Sequence, residues 1–478
     1  TTSSVFTLKD MITAMLIVFV LGYLFIALEN KIHINKTAIA LTLGILLWTL
    51  YIFSDPSQII AADPAALRAF IAAHPDYAAL PLQTQIRNYI TNLEIIDQLG
   101  NISEILFYLL GAMTIVEVID SYHGFDAITG RITTRSKKKL LWLIGLLTFF
   151  MSSVLDNMTS AIVMMLLIQK LLSNQQERWI FGSIIIIAAN AGGAWTPIGD
   201  VTTIMLWINE NISSGGIMKS IFLPSLIALA IPVFLSSLSL QGNISSLPSS
   251  GNNESSVVPD KKLRNQILVI GLLCLLAVPV FKSVTALPPF AGIMLTLGVF
   301  WIYTDQLNNR LQAKNPGTHY RISDILSKVD FSTILFFLGI LMSVAALEAM
   351  GILHYFASWL NTHLHNIYLI NLFIGLLSSI IDNVPLVAAA MGMYPLTTEA
   401  VTSNLPNAHY LMSFVRDGDF WNLLAYCAGT GGSILIIGSA AGVVVMGLEK
   451  INFLWYLKHI TWIALVGFLA GIGVYYLI

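Results

Sequence analysis

The chain is 478 residues long, 56% hydrophobic and only 10% charged, with a mean hydropathy of +0.77 and a net charge of −2. A soluble globular domain carries roughly a quarter charged residues, so that class is excluded, and a near-neutral balance without a dense basic tract excludes nucleic acid as a partner. The two cysteines, Cys274 and Cys427, fall in apolar runs and support neither a disulfide framework nor a zinc site.

A helix needs about twenty apolar residues to cross a bilayer. The first such run, 11–28, lacks an Ala-x-Ala-like exit and is read as a spanning helix rather than a signal peptide. A second span is expected at 37–53. Residues 54–101 carry Asp55, Asp63, Asp76, Glu94 and Asp97 and are expected to form an external loop with short amphipathic helices around 64–73 and 83–98. A span at 102–120 follows.

The segment 140–172 is different. Its apolar stretch is interrupted midway by Ser152-Ser153-Val154-Leu155-Asp156-Asn157, which leaves arms of roughly fifteen residues, short for a full crossing. The economical structure is a re-entrant helical hairpin with Asp-Asn at its tip, because unpaired backbone at membrane depth is tolerated only where it is buried in protein or lines a wet cavity. Making 140–172 a two-pass element instead gives the same parity. The run 180–208 contains Ala191-Gly192-Gly193-Ala194, Pro197 and Gly199-Asp200 and is expected to be a broken helix. After a span at 218–239, residues 241–260 (QGNISSLPSSGNNESSVVPD) have the Ser, Asn, Gly and Pro content of a flexible linker.

Spans at 265–282, 289–304 and 331–350 lead to a second copy of the pattern. Ser378-Ser379-Ile380-Ile381-Asp382-Asn383 interrupts 367–395, a second hairpin. Beyond a long loop at 396–420, Thr430-Gly431-Gly432-Ser433 through Gly438-Ser439 breaks the helix 421–447, and 454–478 is the last span. The copies align in parts: Asp156 matches Asp382 at an offset of 226, and Gly192, Gly193 and Gly199 match Gly431, Gly432 and Gly438 at 239. If the hairpins return to the side they start from, eighteen of the 24 Lys and Arg residues, including the cluster Arg135 to Lys139, fall on one face, which marks it as cytoplasmic. Both termini are then external and the halves have inverted topology. The expected organisation is a first half, 1–240, a cytoplasmic linker, 241–264, and a second inverted half, 265–478, in an all-α polytopic membrane protein. Transporters of this plan bind at the midplane on broken helices.

A carboxylate in hydrocarbon is costly, so two in equivalent contexts mark a functional site. Hard cations such as sodium and lithium take oxygen ligands. Asp156, Asn157 and Thr159 supply them at the first tip; Asn190, Thr196, Asp200, Thr202 and Thr203 supply them around the first break. The second half is poorer. Asp382 and Asn383 recur, but Ser439 stands for Asp200, Gly429 for Asn190 and Pro385 for Thr159, with Ser378, Ser379, Thr430, Ser433 and Ser439 contributing hydroxyls. The main cation site is therefore expected in the first half, with sodium held by Asp156, Asn157, Asn190, Asp200 and Thr202. Asp382 could complete it, hold a second ion or carry a proton. A buried carboxylate must be neutralised by either a proton or a cation, so exchange of sodium for protons by alternating access follows, with no enzymatic step and no cofactor.

Plainer roles are open for the same residues. Asp200 could cap the helix 201–208, Asn157 and Asn383 could cap second hairpin arms, and Thr202 and Thr203 could bond their own backbone. Glu117, Asp120 and Glu348 lie toward span ends, and His33, His123, His354, His363 and His365 in loops or at span ends.

The motif SSVLDN, the run AANAGGAWTPIGDVTT at 188–203 and the motif SSIIDN resemble the NhaD-type sodium/proton antiporters of the ion transporter superfamily, over nearly the whole chain. The resemblance implies a homodimer in the bacterial inner membrane, with a scaffold part and a transport part of two hairpins and two broken helices. It implies sodium or lithium as the ion, activity favoured at alkaline pH, and a role in pH homeostasis. Its functional residues fall here on Ser152, Asp156, Asn157, Asn190, Asp200, Thr202, Thr203, Ser378, Asp382 and Asn383. Carboxylate transporters of that superfamily carry Ser-Asn-Thr at the tips; this chain has Asp-Asn-Met-Thr and Asp-Asn-Val-Pro, which favours a cation. The competing readings are a sodium-coupled carboxylate or oxyanion transporter, a passive channel, and an intramembrane aspartyl protease using Asp156 and Asp200. The last lacks its usual Gly-x-Gly-Asp, having Pro197-Ile198-Gly199-Asp200.

Overall fold

The computed structural model describes residues 8–27, 32, 34–54, 64–126, 134–240, 242–243, 260–314, 322–364, 366–380, 382–398 and 408–478. Helices account for most of them, no strand occurs among them, and six helices are long and apolar enough to cross a membrane, or seven if one bent pair counts as a span. The chain is an all-α polytopic membrane protein. Most of the linker, 241 and 244–259, lies outside the described residues, as do His33, His365, Asp55 and Asp63.

In chain order the helices are α1 (Leu8–Ala27), α2 (Lys36–Ile52), α3 (Pro64–Ala73), α4 (Leu82–Ser121), α5 (Lys137–Leu155), α6 (Asn157–Leu171), α7 (Gln175–Ala194), α8 (Val201–Ile208), α9 (Ser214–Ser239) and α10 (Lys261–Thr285). Then come α11 (Pro289–Lys314), α12 (Phe331–Ala349), α13 (Ile352–His363), α14 (Ile367–Ser378), α15 (Asn383–Met393), α16 (Asp419–Gly431), α17 (Ala440–Glu449), α18 (Phe453–His459) and α19 (Thr461–Leu477).

Four features differ from the sequence reading. The expected short helix at 83–98 is the start of α4, which runs 40 residues through a π-helical stretch at Ile90–Glu94. No Pro or Gly interrupts 82–99, so the backbone continues helical although the polar face changes. The expected linker end at 261–264 is already the first turn of α10. Helix α13 occupies a stretch read as a loop, and His354 and His363 lie on it. The last expected span divides at Ile460: α18 is a separate short helix, bent 115° from α17, and only α19 continues to the end.

Two compact units can be distinguished: 1–107, 330–365 and 388–395 in one, and 108–329, 366–387 and 396–478 in the other. In the first, α2 and α12 pack backbone against backbone. A Cβ on Gly339 would overlap the Ala40 backbone, and one on Gly44 would lie 2.7 Å from the Gly339 carbonyl oxygen. Small residues at such crossings are how membrane helices approach closely. The pair is also tied by Trp48 Nε1, which donates to the Met342 carbonyl at 3.0 Å. The second unit holds both Asp-Asn breaks and both Gly-Gly breaks. Here α5 packs on α7 and on the other hairpin arm α6, α14 packs on α16, and α9 packs on α19.

Candidate functional site

The first Asp-Asn motif interrupts its helix at a single residue. Helix α5 ends at Leu155, α6 begins at Asn157, and Asp156 between them has φ 94° and ψ 157°. That backbone region is close to glycine-only and costs about 1–3 kcal/mol for another residue type. A carboxylate is kept where glycine would fit more cheaply. Asp156 uses it as an N-cap of α6: one oxygen accepts from the Thr159 backbone N at 2.8 Å, the other from Thr159 Oγ1 at 2.8 Å.

The first Gly-Gly motif ends α7 at Ala194, and residues 195–200 connect it to α8. A side chain on Gly192 would overlap the Phe149 carbonyl, so α7 lies directly on the α5 backbone. Ser152 fixes the same contact, its Oγ donating to the Ala189 carbonyl at 2.5 Å, and Thr196 Oγ1 donates to the Ser153 carbonyl at 2.6 Å. The second half repeats this scaffold. A side chain on Gly431 would overlap the Gly375 carbonyl, and Ser378 Oγ donates to the Ala428 carbonyl at 2.6 Å. The backbone frame of each break is thus the same, at the offsets read from the sequence.

The side chains held by these frames interlock across the halves. Asn157 Nδ2 donates to Asn190 Oδ1 at 3.2 Å, and Asn190 Nδ2 donates to Ser433 Oγ at 2.9 Å and Ser439 Oγ at 2.8 Å. From the other side, Asn383 Nδ2 donates to Asp200 Oδ2 at 2.9 Å. Asp382 Oδ1 accepts from the Val384 backbone N at 3.3 Å, and its carboxylate is close enough to repel that of Asp200. Asp200 is the N-cap residue of α8, as Ser439 is of α17.

Burial sets the electrostatics. Asp200 is 2% exposed and Asn190 and Thr202 are fully buried, whereas Asp156 and Asp382 are half-buried. None of the ion pairs among the described residues involves Asp156, Asp200 or Asp382. A carboxylate buried beside an amide and a second carboxylate, without a basic partner, is costly unless a proton or a cation joins it. The Thr202 hydroxyl is buried against the Asp200 carboxylate, and that of Ser160, one turn beyond Asn157, is buried without a hydrogen-bond partner. Buried oxygen donors of this kind are what a hard monovalent cation takes.

Of the residues singled out in the sequence, Asn157, Asn190, Ser433, Ser439, Asp200 and Asn383 enter this polar core, with Asp382 at its edge. Asp156 and Thr159 bond within their own hairpin. Ser152 and Ser378 give their hydroxyl hydrogens to backbone carbonyls, and Thr203 Oγ1 gives its own to the Asp200 carbonyl at 2.9 Å. Ser160 was overlooked; its place one turn after the Asp-Asn pair was the available signal. No sequence signal connects Asn383 to Asp200, 183 residues away.

Comparison with known proteins follows the same lines. Residues 23–415 match a family described as citrate transporter. The chain is 43% identical to "Sodium/proton antiporter 1" of Arabidopsis thaliana over 97% of this chain and 72% of that protein. It is 42% identical to "Sodium/proton antiporter 2" of the same plant over 96% and 98% of the two chains. It is 29% identical to the "Na(+)/H(+) antiporter NhaD" of Vibrio cholerae over 97% and 91%.

Proposed function

This chain belongs to the citrate transporter family, among its NhaD-type sodium/proton antiporters, and from that premise we propose that it exchanges sodium or lithium for protons by alternating access. The observation that carries the reading is Asp200: a carboxylate 2% exposed, bonded to the Asn383 amide and outside every ion pair among the described residues. Proton and sodium compete to neutralise it. Asn157, Asn190, Thr202 and Ser433 add neutral oxygens around the ion, Asp156 at the first tip and Asp382 at the second supply further carboxylates to the site, and Ser152, Ser378 and Thr203 hold the frame. Sodium is cargo here, and no cofactor is called for.

The halves 1–240 and 261–478 act as inverted repeats joined by the linker 241–260, a reading supported by the duplicated serine-to-carbonyl and glycine-to-carbonyl contacts. Both termini are then external. Movement of the hairpins with their broken helices would carry the loaded site between the two faces. Assembly as a homodimer, location in a bacterial inner membrane and a role in pH homeostasis are proposed from the family resemblance; the plant relatives make membrane fractionation the check on the second.

The family description also names a carboxylate, citrate. The acidic tips weigh against an organic anion, which would need compensating positive charge. Purified protein in vesicles separates the two. Addition of sodium should dissipate an imposed pH gradient for the wild type and almost not at all for Asp156→Asn. Equal rates from both, with equal insertion, would end the Asp156 assignment, and citrate-driven current without sodium/proton exchange would favour the carboxylate reading.

A further inference from the structure

Glycines crowd both breaks, and six of them have a steric reason. A Cβ on Gly192 or Gly431 would overlap a carbonyl of the neighbouring helix. On Gly193 or Gly432 it would lie 2.6 or 2.9 Å from the carbonyl oxygen of Gly199 or Gly438. On Gly199 it would lie 2.8 Å from the Ser152 carbonyl oxygen, and on Gly438 2.6 Å from that of Ser378. Backbone is in the way each time.

Gly429 is different. It lies inside α16 with no left-handed backbone, since the positive-φ glycines among the described residues are Gly242 and Gly351. A Cβ there would meet no backbone atom closer than 3.8 Å; its nearest neighbours would be Ala194 Cβ at 3.2 Å and Asp200 Oδ2 at 3.7 Å. A shift of a few tenths of an ångström in Ala194 would admit it. Glycine lowers helix stability relative to alanine, by roughly 0.5–1 kcal/mol in mid-helix, so even here, in the last turn of α16, this position gives up some stability without a steric need.

The repeat indicates what the missing side chain leaves free. The equivalent of Gly429 is Asn190, whose amide fills the space beside Ser439, the N-cap of α17, by bonding to Ser433 and Ser439. The equivalent space on the other side of the pseudo-symmetric core adjoins Asp200, the N-cap of α8. There no side chain of α16 enters it, and it is edged by the Asp200 carboxylate that accepts from Asn383, with the buried Thr202 hydroxyl beside that carboxylate. We infer that Gly429 is the specificity-determining position of the exchanger: its lack of a side chain reserves room beside Asp200 Oδ2 for the cation and so sets the size of ion accepted. This rests on the sodium/proton reading and adds to it the residue that limits ion size.

The test compares half-saturating sodium and lithium concentrations in vesicles for wild type, Gly429→Ala, the double variant Gly429→Ala/Ala194→Gly, and Gly447→Ala. The last is a helix glycine with open space around it, included as a control for helix stiffening. A methyl group in a fitted pocket changes discrimination by about tenfold or more. Gly429→Ala should therefore raise half-saturating sodium by about tenfold and lithium, the smaller ion, distinctly less. The double variant removes the Ala194 contact but keeps the methyl beside Asp200, and should retain the shifted sodium-to-lithium ratio; Gly447→Ala should match wild type. The inference is overturned if Gly429→Ala leaves the ratio unchanged, whether by affecting neither ion or both equally. It is also overturned if the double variant restores the wild-type ratio, which would assign the effect to packing against Ala194. If Gly429→Ala does not insert, the double variant alone decides by the same ratio. Absence of sodium-dependent exchange in the wild type would sink the functional reading itself, and this inference with it, a result distinct from a normal wild type with an unaltered Gly429→Ala.

Discussion

The two breaks share a frame and differ in what the frame displays. In each, a serine hydroxyl bonds a carbonyl of the broken helix, Ser152 to Ala189 and Ser378 to Ala428, at 2.5 and 2.6 Å. In each, a glycine lets two backbones touch, Gly192 on Phe149 and Gly431 on Gly375. On that common frame the first half carries Asn190 and Asp200 where the second carries Gly429 and Ser439. Duplicated architecture therefore supplies position, and the unequal side chains supply chemistry. The amide pairs with the neutral hydroxyls, leaving the buried carboxylate with an amide from the opposite hairpin.

The sharpest way to break this comparison is to remove its charge. Asp200→Asn should reduce sodium-driven exchange about a hundredfold or more, since a buried charge site that loses its counter-charge loses about 3 kcal/mol or more. Ser439→Ala, at the equivalent position, should retain most of the activity. Comparable losses from the two would mean that the N-cap positions matter only for helix geometry. Transport assays on both variants at matched reconstitution decide it.

A smaller effect is expected at Asn190. Its amide makes three side-chain hydrogen bonds, two of which join the halves, each worth about 0.5–1.5 kcal/mol. Asn190→Ala should raise half-saturating sodium by about tenfold and lower thermal stability together. An unchanged sodium dependence would make Asn190 a packing residue.

The smallest effects sharpen the likeness of the frames. Ser152→Ala and Ser378→Ala each remove one buried hydroxyl-to-carbonyl bond and should each cost about 1 kcal/mol of stability. Melting temperatures lowered by similar amounts would support equal frames. A large loss of transport from one and not the other would show that its hydroxyl faces the ion.

The parts of this arrangement that rest on local chemistry were legible in the sequence. Asp156 stops a helix that its apolar neighbours would otherwise continue, and Gly192-Gly193 with Pro197 stops another, so the breaks at 156 and 195–200 were placed within a residue or two. The partners of these residues were not legible. Asn383 meets Asp200 only because two breaks far apart in the chain are brought together, and no periodicity reports that. The continuity of α4 through Ile90–Glu94 was missed because polar residues on its surface resemble a loop, although nothing there breaks a helix. Helix α13 was missed because Gly351, in the left-handed conformation at its start, reads as the end of structure rather than as a turn into another helix.

The central claim is that sodium and the proton compete for one buried carboxylate, and the pH dependence of sodium affinity tests it most directly. Initial rates of sodium-driven exchange in vesicles, measured over a range of pH, should show half-saturating sodium rising toward about tenfold per unit as pH falls, with the maximal rate little changed, as one competing proton requires. Half-saturating sodium that stays constant while the maximal rate alone varies with pH would contradict competition at a shared site.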